Sequence, residues 1–143
     1  MTNVAQVIQN KIEQNIFTIS PESTVLEAIS LMADKGIGAL VVTQQEKVVG
    51  ILSERDYMRK VTLMKRTSEE TTVSEIMTAK VLTVTKSTTV EDCLGLMTER
   101  HLRHLPVVEN DKLIGLISIG DLVKAVMEDQ RKLIDQLQQY IAS

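Results

Sequence analysis

Gly50-Ile51-Leu52-Ser53-Glu54-Arg55-Asp56 returns as Gly115-Leu116-Ile117-Ser118-Ile119-Gly120-Asp121, displaced by 65 positions (115 − 50 = 65). The same displacement, without a gap, lays Thr24-Val25 on Thr89-Val90, Leu31-Met32 on Leu96-Met97, Leu40 on Leu105, Val42 on Val107, Lys47 on Lys112 and Val61 on Val126. A constant offset over so long a stretch is the mark of a duplication. Repeated units of this kind cannot bury their apolar face alone and stack on a copy of themselves.

Working outward from this stretch, each copy reads as strand, helix, strand, strand, helix. In the first copy Phe17-Thr18-Ile19 alternates as a short strand, and Ser23 or Thr24 caps a helix with apolar positions Val25, Ala28, Ile29 and Met32. Gly36 ends that helix. Ala39-Leu40-Val41-Val42 and Val48-Val49-Gly50-Ile51-Leu52 form a hairpin through Gln44-Gln45-Glu46. The second copy repeats this with Leu82-Thr83-Val84, a helix through Val90, Cys93, Leu94 and Met97, and a hairpin turning at Asn110-Asp111. Pro106 falls early in its strand, where a missing donor is tolerated. Val73-Ser74-Glu75-Ile76-Met77 lies 65 after Ile8-Gln9-Asn10-Lys11-Ile12, so a short lead-in helix is duplicated as well. The fold class is α/β (α+β), with two β-α-β-β-α repeats packed on each other.

At 143 residues and 43% apolar the chain can bury one core, whereas each copy alone would be marginal. The formal charge of −3 comes from well-mixed charges, without the basic face that duplex nucleic acid requires. Aromatic residues at 2% leave few platforms for stacking bare bases. Neither a signal peptide nor a membrane span is expected from residues 1–15, and a cytoplasmic, reducing setting is the simplest expectation for a chain with one cysteine. Cys93 replaces Ala28 of the first copy and reads as a packed core residue.

The boundaries that follow are 1–66 for repeat 1 with its lead-in helix, 67–74 for a linker, 75–127 for repeat 2 and 128–143 for an amphipathic tail helix. Residues 65–72 are polar and lack apolar periodicity, which marks a solvated linker and the expected site of disorder. In the tail, Met127, Ile134 and Ile141 stand one heptad apart with Leu137 between the last two. That stripe needs a cover, either its own domain or another subunit.

Ser53-x-x-Asp56 and Ser118-x-x-Asp121 each follow a strand and open a helix. One reading is a capping box, although Glu or Gln is its usual partner and Asp stands here twice. The other is a binding turn, in which a short carboxylate accepts two adjacent hydroxyls, as a ribose presents them, beside the amides of a helix start. Both roles can coexist at one turn.

The Gly-apolar-apolar-Ser-x-x-Asp pattern, His101-Leu102-Arg103-His104-Leu105-Pro106-Val107-Val108 and Val73-Ser74-Glu75-Ile76-Met77-Thr78 together closely resemble tandem CBS domains, the regulatory pair named after cystathionine β-synthase. The resemblance spans roughly residues 8 to 127. It implies a pseudo-twofold module whose clefts bind an adenine nucleotide, AMP or NAD foremost, with ATP, ADP and S-adenosylmethionine as further options. By this resemblance Asp56 and Asp121 match the ribose-binding aspartate, and Ser53 and Ser118 match the hydroxyl position beside ribose or phosphate. Gly38-Ala39 and Arg103-His104 match the strand entries that approach adenine or phosphates, and Thr18 and Thr83 the first-strand position beside the cleft.

The copies differ where charge matters. Arg100, Arg103 and His104 of repeat 2 face Lys35, Gly38 and Ala39 in repeat 1, while Arg55 and Arg59 face Gly120 and Lys124. Guanidinium groups make bidentate phosphate contacts that glycine cannot, so the clefts should differ in affinity. His101 and His104 lack the companion ligands of a metal site. No P-loop, Gly-x-Ser-x-Gly or Gly-x-Gly-x-x-Gly is present, and the chain is read as non-catalytic. The expectation is a regulatory homodimer that senses an adenine nucleotide and reports to an effector protein; a ligand-free scaffold with capping aspartates is the alternative.

Overall fold

The computed structural model describes residues 2–11 and 16–142. Along the chain run α1 (Val4–Gln9), β1 (Thr18–Ile19), α2 (Val25–Lys35), β2 (Ala39–Gln44), β3 (Lys47–Ser53), α3 (Glu54–Tyr57), α4 (Val73–Ile76), α5 (Val90–Arg100), β4 (His104–Glu109), β5 (Lys112–Ser118) and α6 (Ile119–Ala142). A π-helical turn, Met58–Thr62, continues α3. Contacts divide the chain into two compact units, Asn15–Leu82 with Val108–Ile114, and Met1–Gln14 with Thr83–Val107 and Gly115–Ser143.

In the first of these, β1 lies parallel to β2, and β2 pairs antiparallel with β3 from Ala39↔Ser53 to Gln44↔Lys47. The hairpin turns at Gln45 and Glu46, both at positive φ (53° and 67°), and Asn110 and Asp111 repeat this at 51° and 63°. Such two-residue turns match the right-handed strand twist. Thr24 Oγ1 accepts the Glu27 amide at 3.2 Å to start α2, and Gly36 ends it at φ 65°. Val25, Ala28 and Met32 of this helix are buried with Leu40, Val42 and Leu52 of the sheet. Val61, Val73 and Ile76 complete that core. Fully burying a side chain such as Ile76 stabilises by about 2 kcal/mol. The π turn decides which residue faces inward: Val61 is 1% exposed, whereas in α6 the buried position is Ala125, the counterpart of Lys60. A one-residue widening therefore turns Lys60 away from the core.

The other unit has α5 capped by Thr89 and ended by His101, which takes the left-handed role of Gly36 at φ 55°. Its sheet has two strands, β4 and β5. The strand expected at Leu82–Val84 is reduced to one bridge, Val84 with Val107. The reason is Pro106. It replaces Val41, which faces Thr18 in the first copy, and it has no N–H to carry the ladder on to Thr83. Only its carbonyl serves, accepting the Val84 amide at 3.0 Å.

The lead-in helices are exchanged. Asn3 bridges Thr89, and Thr72 bridges Thr24, so each short helix packs with the other repeat. Asn3 with Gln6 and Thr72 with Glu75 form matching capping boxes, and Val4 and Val7 match Val73 and Ile76. The offset between them is 69 (72 − 3 = 69), not 65, so four extra residues separate lead-in and strand in the first copy. Ile12 of the expected lead-in lies outside the described residues. Residues 67–72 are not a solvated tether: Thr71 is buried, and the carbonyls of Ser68 and Thr71 accept the amides of Leu26 and Val25 at 2.9 and 2.8 Å. Backbone carbonyls of this stretch, not its polar side chains, satisfy the first turn of α2. No break marks residues 127–128, because α6 runs unbroken for 24 residues, about 36 Å.

Candidate functional site

Each unit assembles its own Ser-x-x-Asp turn where a sheet meets a helix. At the end of β3 the Ser53 amide donates to Asp56 Oδ2 at 2.9 Å, and Ser53 Oγ donates to the same oxygen at 3.0 Å. The Asp56 amide returns a bond to Ser53 Oγ at 3.2 Å. At the end of β5, Ser118 N donates to Asp121 Oδ2 at 2.8 Å and Asp121 N to Ser118 Oγ at 3.1 Å. Aspartate thus closes a capping box in both copies, although its arm is shorter than that of glutamate.

The strand entry is tied to the same turn. Gly38 O accepts the Glu54 amide at 3.0 Å, and Arg103 O accepts the Ile119 amide at 3.0 Å, a match at the 65-residue offset. Ala39 stands opposite Ser53 across the β2–β3 ladder. Gly38, Ala39, Ser53 and Asp56 therefore cluster at one sheet end, and Arg103, His104, Ser118 and Asp121 gather in the other unit. Arg55 and Arg103 are exposed. Thr18 and Thr83 are exposed too, but they lie further along, Thr18 opposite Val41 and Thr83 beside the Val84 bridge.

Three charged residues escaped the sequence reading. Lys60 Nζ stands 3.3 Å from Asp56 Oδ1 and donates to Ile76 O at 2.9 Å. Lys11 Nζ stands 3.0 Å from Asp121 Oδ2 and donates to Leu116 O at 2.8 Å. The two lysines are not repeat counterparts: Lys60 comes from the adjoining helical turn and Lys11 from the lead-in segment. The i,i+4 spacing of Asp56 and Lys60 was a legible signal, whereas the pairing of Lys11 with a residue 110 positions away was not. Glu54 is the third. Its carboxyl carbon would lie 3.7 Å from a Cβ built on Gly38, whereas repeat 2 has Ile119 at its position.

Electrostatics separate the two turns further. Burial raises the Asp121 carboxyl, but the Ser118 amide and Lys11 outweigh it and hold Asp121 below its ordinary value. For His104, burial lowers the imidazole pKa, against the opposing pull of Asp121 and with Lys11 and Arg103 adding to the depression. Cys93 is fully buried, and burial with nearby Asp92 pushes its thiol up to about 11. Among the described residues no group of three His, Cys, Asp or Glu could hold a metal ion, and no helix is long and apolar enough to cross a membrane.

Comparison with known proteins bears on this arrangement. The CBS domain family model matches residues 4–62 and 73–128. The chain is 41% identical over 125 residues to the CBS domain-containing protein CBSX3, mitochondrial, of Arabidopsis thaliana, covering 84% of this chain and 61% of that protein's length. Among solved structures, a putative signal-transduction protein with CBS domains from Burkholderia ambifaria is 53% identical with a TM-score of 0.85, over 90% of this chain and 96% of that one. CBSX2, crystallised with AMP, is 27% identical with a TM-score of 0.76, over 90% of this chain and 98% of that one. Two matched segments across most of the sequence, on a mixed α+β fold, place this chain in the CBS domain family as a tandem pair.

Proposed function

We propose that the chain is a non-catalytic regulatory module in which the Ser53/Asp56 and Ser118/Asp121 turns hold the ribose of an adenine nucleotide. The supporting observation is that both capping boxes fix a carboxylate at the junction of strand entry and helix start, in a family with an AMP-bound member. The cap itself uses one carboxylate oxygen, Oδ2, in each copy, and the other oxygen is the one a hydroxyl donor would reach, with Lys60 standing beside it at Asp56. AMP is the favoured ligand, with NAD next; ATP, ADP and S-adenosylmethionine share the same ribose and adenine.

Phosphates favour the Asp121 turn. Arg103 and His104 lie beside it, whereas Gly38 and the Glu54 carboxylate occupy the corresponding place near Asp56. Binding changes the protein's output only if the ligand prefers one arrangement of the chain over another. The exposed stripe of Met127, Ile134, Leu137 and Ile141 on α6 supports a homodimer, with an effector protein still to be identified. The single buried cysteine fits a cytoplasmic protein. The test is mass spectrometry of small molecules released from protein purified without added nucleotide, joined to calorimetry with AMP and NAD. Binding lost in Asp56→Ala with Asp121→Ala supports this reading; no binding of any adenine nucleotide refutes it. In that event the second reading takes over, a scaffold whose aspartates serve only as caps.

A further inference from the structure

The lysines beside the two aspartates divide the carboxylate acceptors unequally. A carboxylate offers about four lone-pair positions. Asp56 receives Ser53 N and Ser53 Oγ on Oδ2 and Lys60 on Oδ1, so both oxygens are engaged. Asp121 receives Ser118 N and Lys11 on the same oxygen, Oδ2, and neither contact uses Oδ1. Among the described residues nothing else is placed on Asp121 Oδ1, so a vicinal diol reaching it displaces none of them, whereas at Asp56 it meets an ammonium group already in place.

The side-chain geometry points the same way. Asp56 is the less exposed carboxylate, at 14% against 23% for Asp121, while Lys60 is 44% exposed and can swing out into water. Its hydrogen bond to Ile76 O at 2.9 Å is a second anchor that keeps the ammonium beside Asp56. The π turn makes this possible by placing Val61 rather than Lys60 on the core side. Ser53 Oγ directs its proton onto Asp56, so this hydroxyl also has to turn before it can donate to a ligand.

We infer that Lys60 is an internal competitor for the Asp56 carboxylate, a built-in gate that makes the first half the weaker ribose site and leaves the Asp121 half to fill first. This rests on the nucleotide-binding reading above, because it concerns the same carboxylates. The i,i+4 spacing of this ion pair sets the scale, and its release should be worth about twofold in affinity.

The experiment titrates wild-type protein, Lys60→Met and Lys60→Arg with adenosine and with AMP by calorimetry, with circular dichroism melts confirming that each variant is folded. Adenosine presents the diol without phosphate, so the loss of a cation does not mask the release of the acceptor. The expected result is two unequal adenosine sites in the wild type, the weaker one tightening about twofold in Lys60→Met and staying weak in Lys60→Arg. Adenosine affinity unchanged or weakened in Lys60→Met overturns the gate while leaving the nucleotide reading intact. Absence of binding in wild type and variants alike overturns the nucleotide reading itself, and binding at the first half seen only in Lys60→Met supports both.

Discussion

Replacing Asp121 by alanine separates the work this carboxylate does for the fold from any work it does for a ligand. The substitution removes the acceptor of the Ser118 amide at 2.8 Å, half of a capping box at the start of α6, worth about 1 kcal/mol. It also removes the partner of Lys11 at 3.0 Å, with side chains 30% and 23% exposed, and at that exposure the pair contributes about 0.5 kcal/mol. Lys11 keeps its bond to Leu116 O, so no ammonium is left stranded. The sum, about 1.5 kcal/mol, lowers Tm by roughly 5 °C in a domain of this size. Asp121→Asn keeps an oxygen acceptor for the Ser118 amide and should lose about a third of that. Folding holds this carboxyl below its ordinary value, so its contribution is full at neutral pH and is lost as pH falls through the carboxylate range. Differential scanning calorimetry at pH 7 and pH 4 reads both. An Asp121→Ala Tm within 1 °C of wild type at pH 7, or a difference that grows on acidification, would refute the capping account.

Three further outcomes follow from other parts of the structure. Unfolding lets His104 bind a proton at a pH where burial keeps the folded ring neutral, so the unfolded state carries more protons below about pH 6.5 and stability falls on acidification; His104→Gln should flatten that limb of a urea-melt series between pH 7 and 5. Cys93, fully buried with its thiol pushed up to about 11, should react with a thiol reagent only at the rate of global unfolding, and fast stoichiometric labelling of the native protein would contradict its core placement. Gly50→Ala puts a methyl against the Met77 side chain and 3.1 Å from Thr78 O, where backbone cannot yield as a side chain can, so a loss of about 1–3 kcal/mol is expected in urea unfolding.

Local chemistry made much of this legible. Thr24, Gly36 and the polar hairpin tips announced their elements, because caps and turns are decided within a few residues. The two Ser-x-x-Asp turns were visible as paired alternatives, and the structure shows the capping half of that choice in both copies. What stayed hidden depends on partners distant in sequence. The exchange of lead-in helices rests on bridges of Asn3 to Thr89 and Thr72 to Thr24, and a 69-residue offset within a 65-residue repeat is easily overrun. Thr71 reads as solvated by composition yet is buried because its carbonyl serves α2. Pro106 reads as standing at the beginning of its strand, where a missing donor is tolerated, but it is the third residue of β4, and the effect of its missing N–H follows only once Val84 is seen to accompany it.

The central claim is that the Asp56 and Asp121 carboxylates receive ribose hydroxyls while still capping their helices. A crystal structure of the protein grown with AMP tests it directly. The account predicts the ribose diol within hydrogen-bond distance of Asp121 Oδ1, with the Ser118 amide still on Oδ2. AMP bound elsewhere, with Asp56 and Asp121 both out of reach of its ribose, would contradict it.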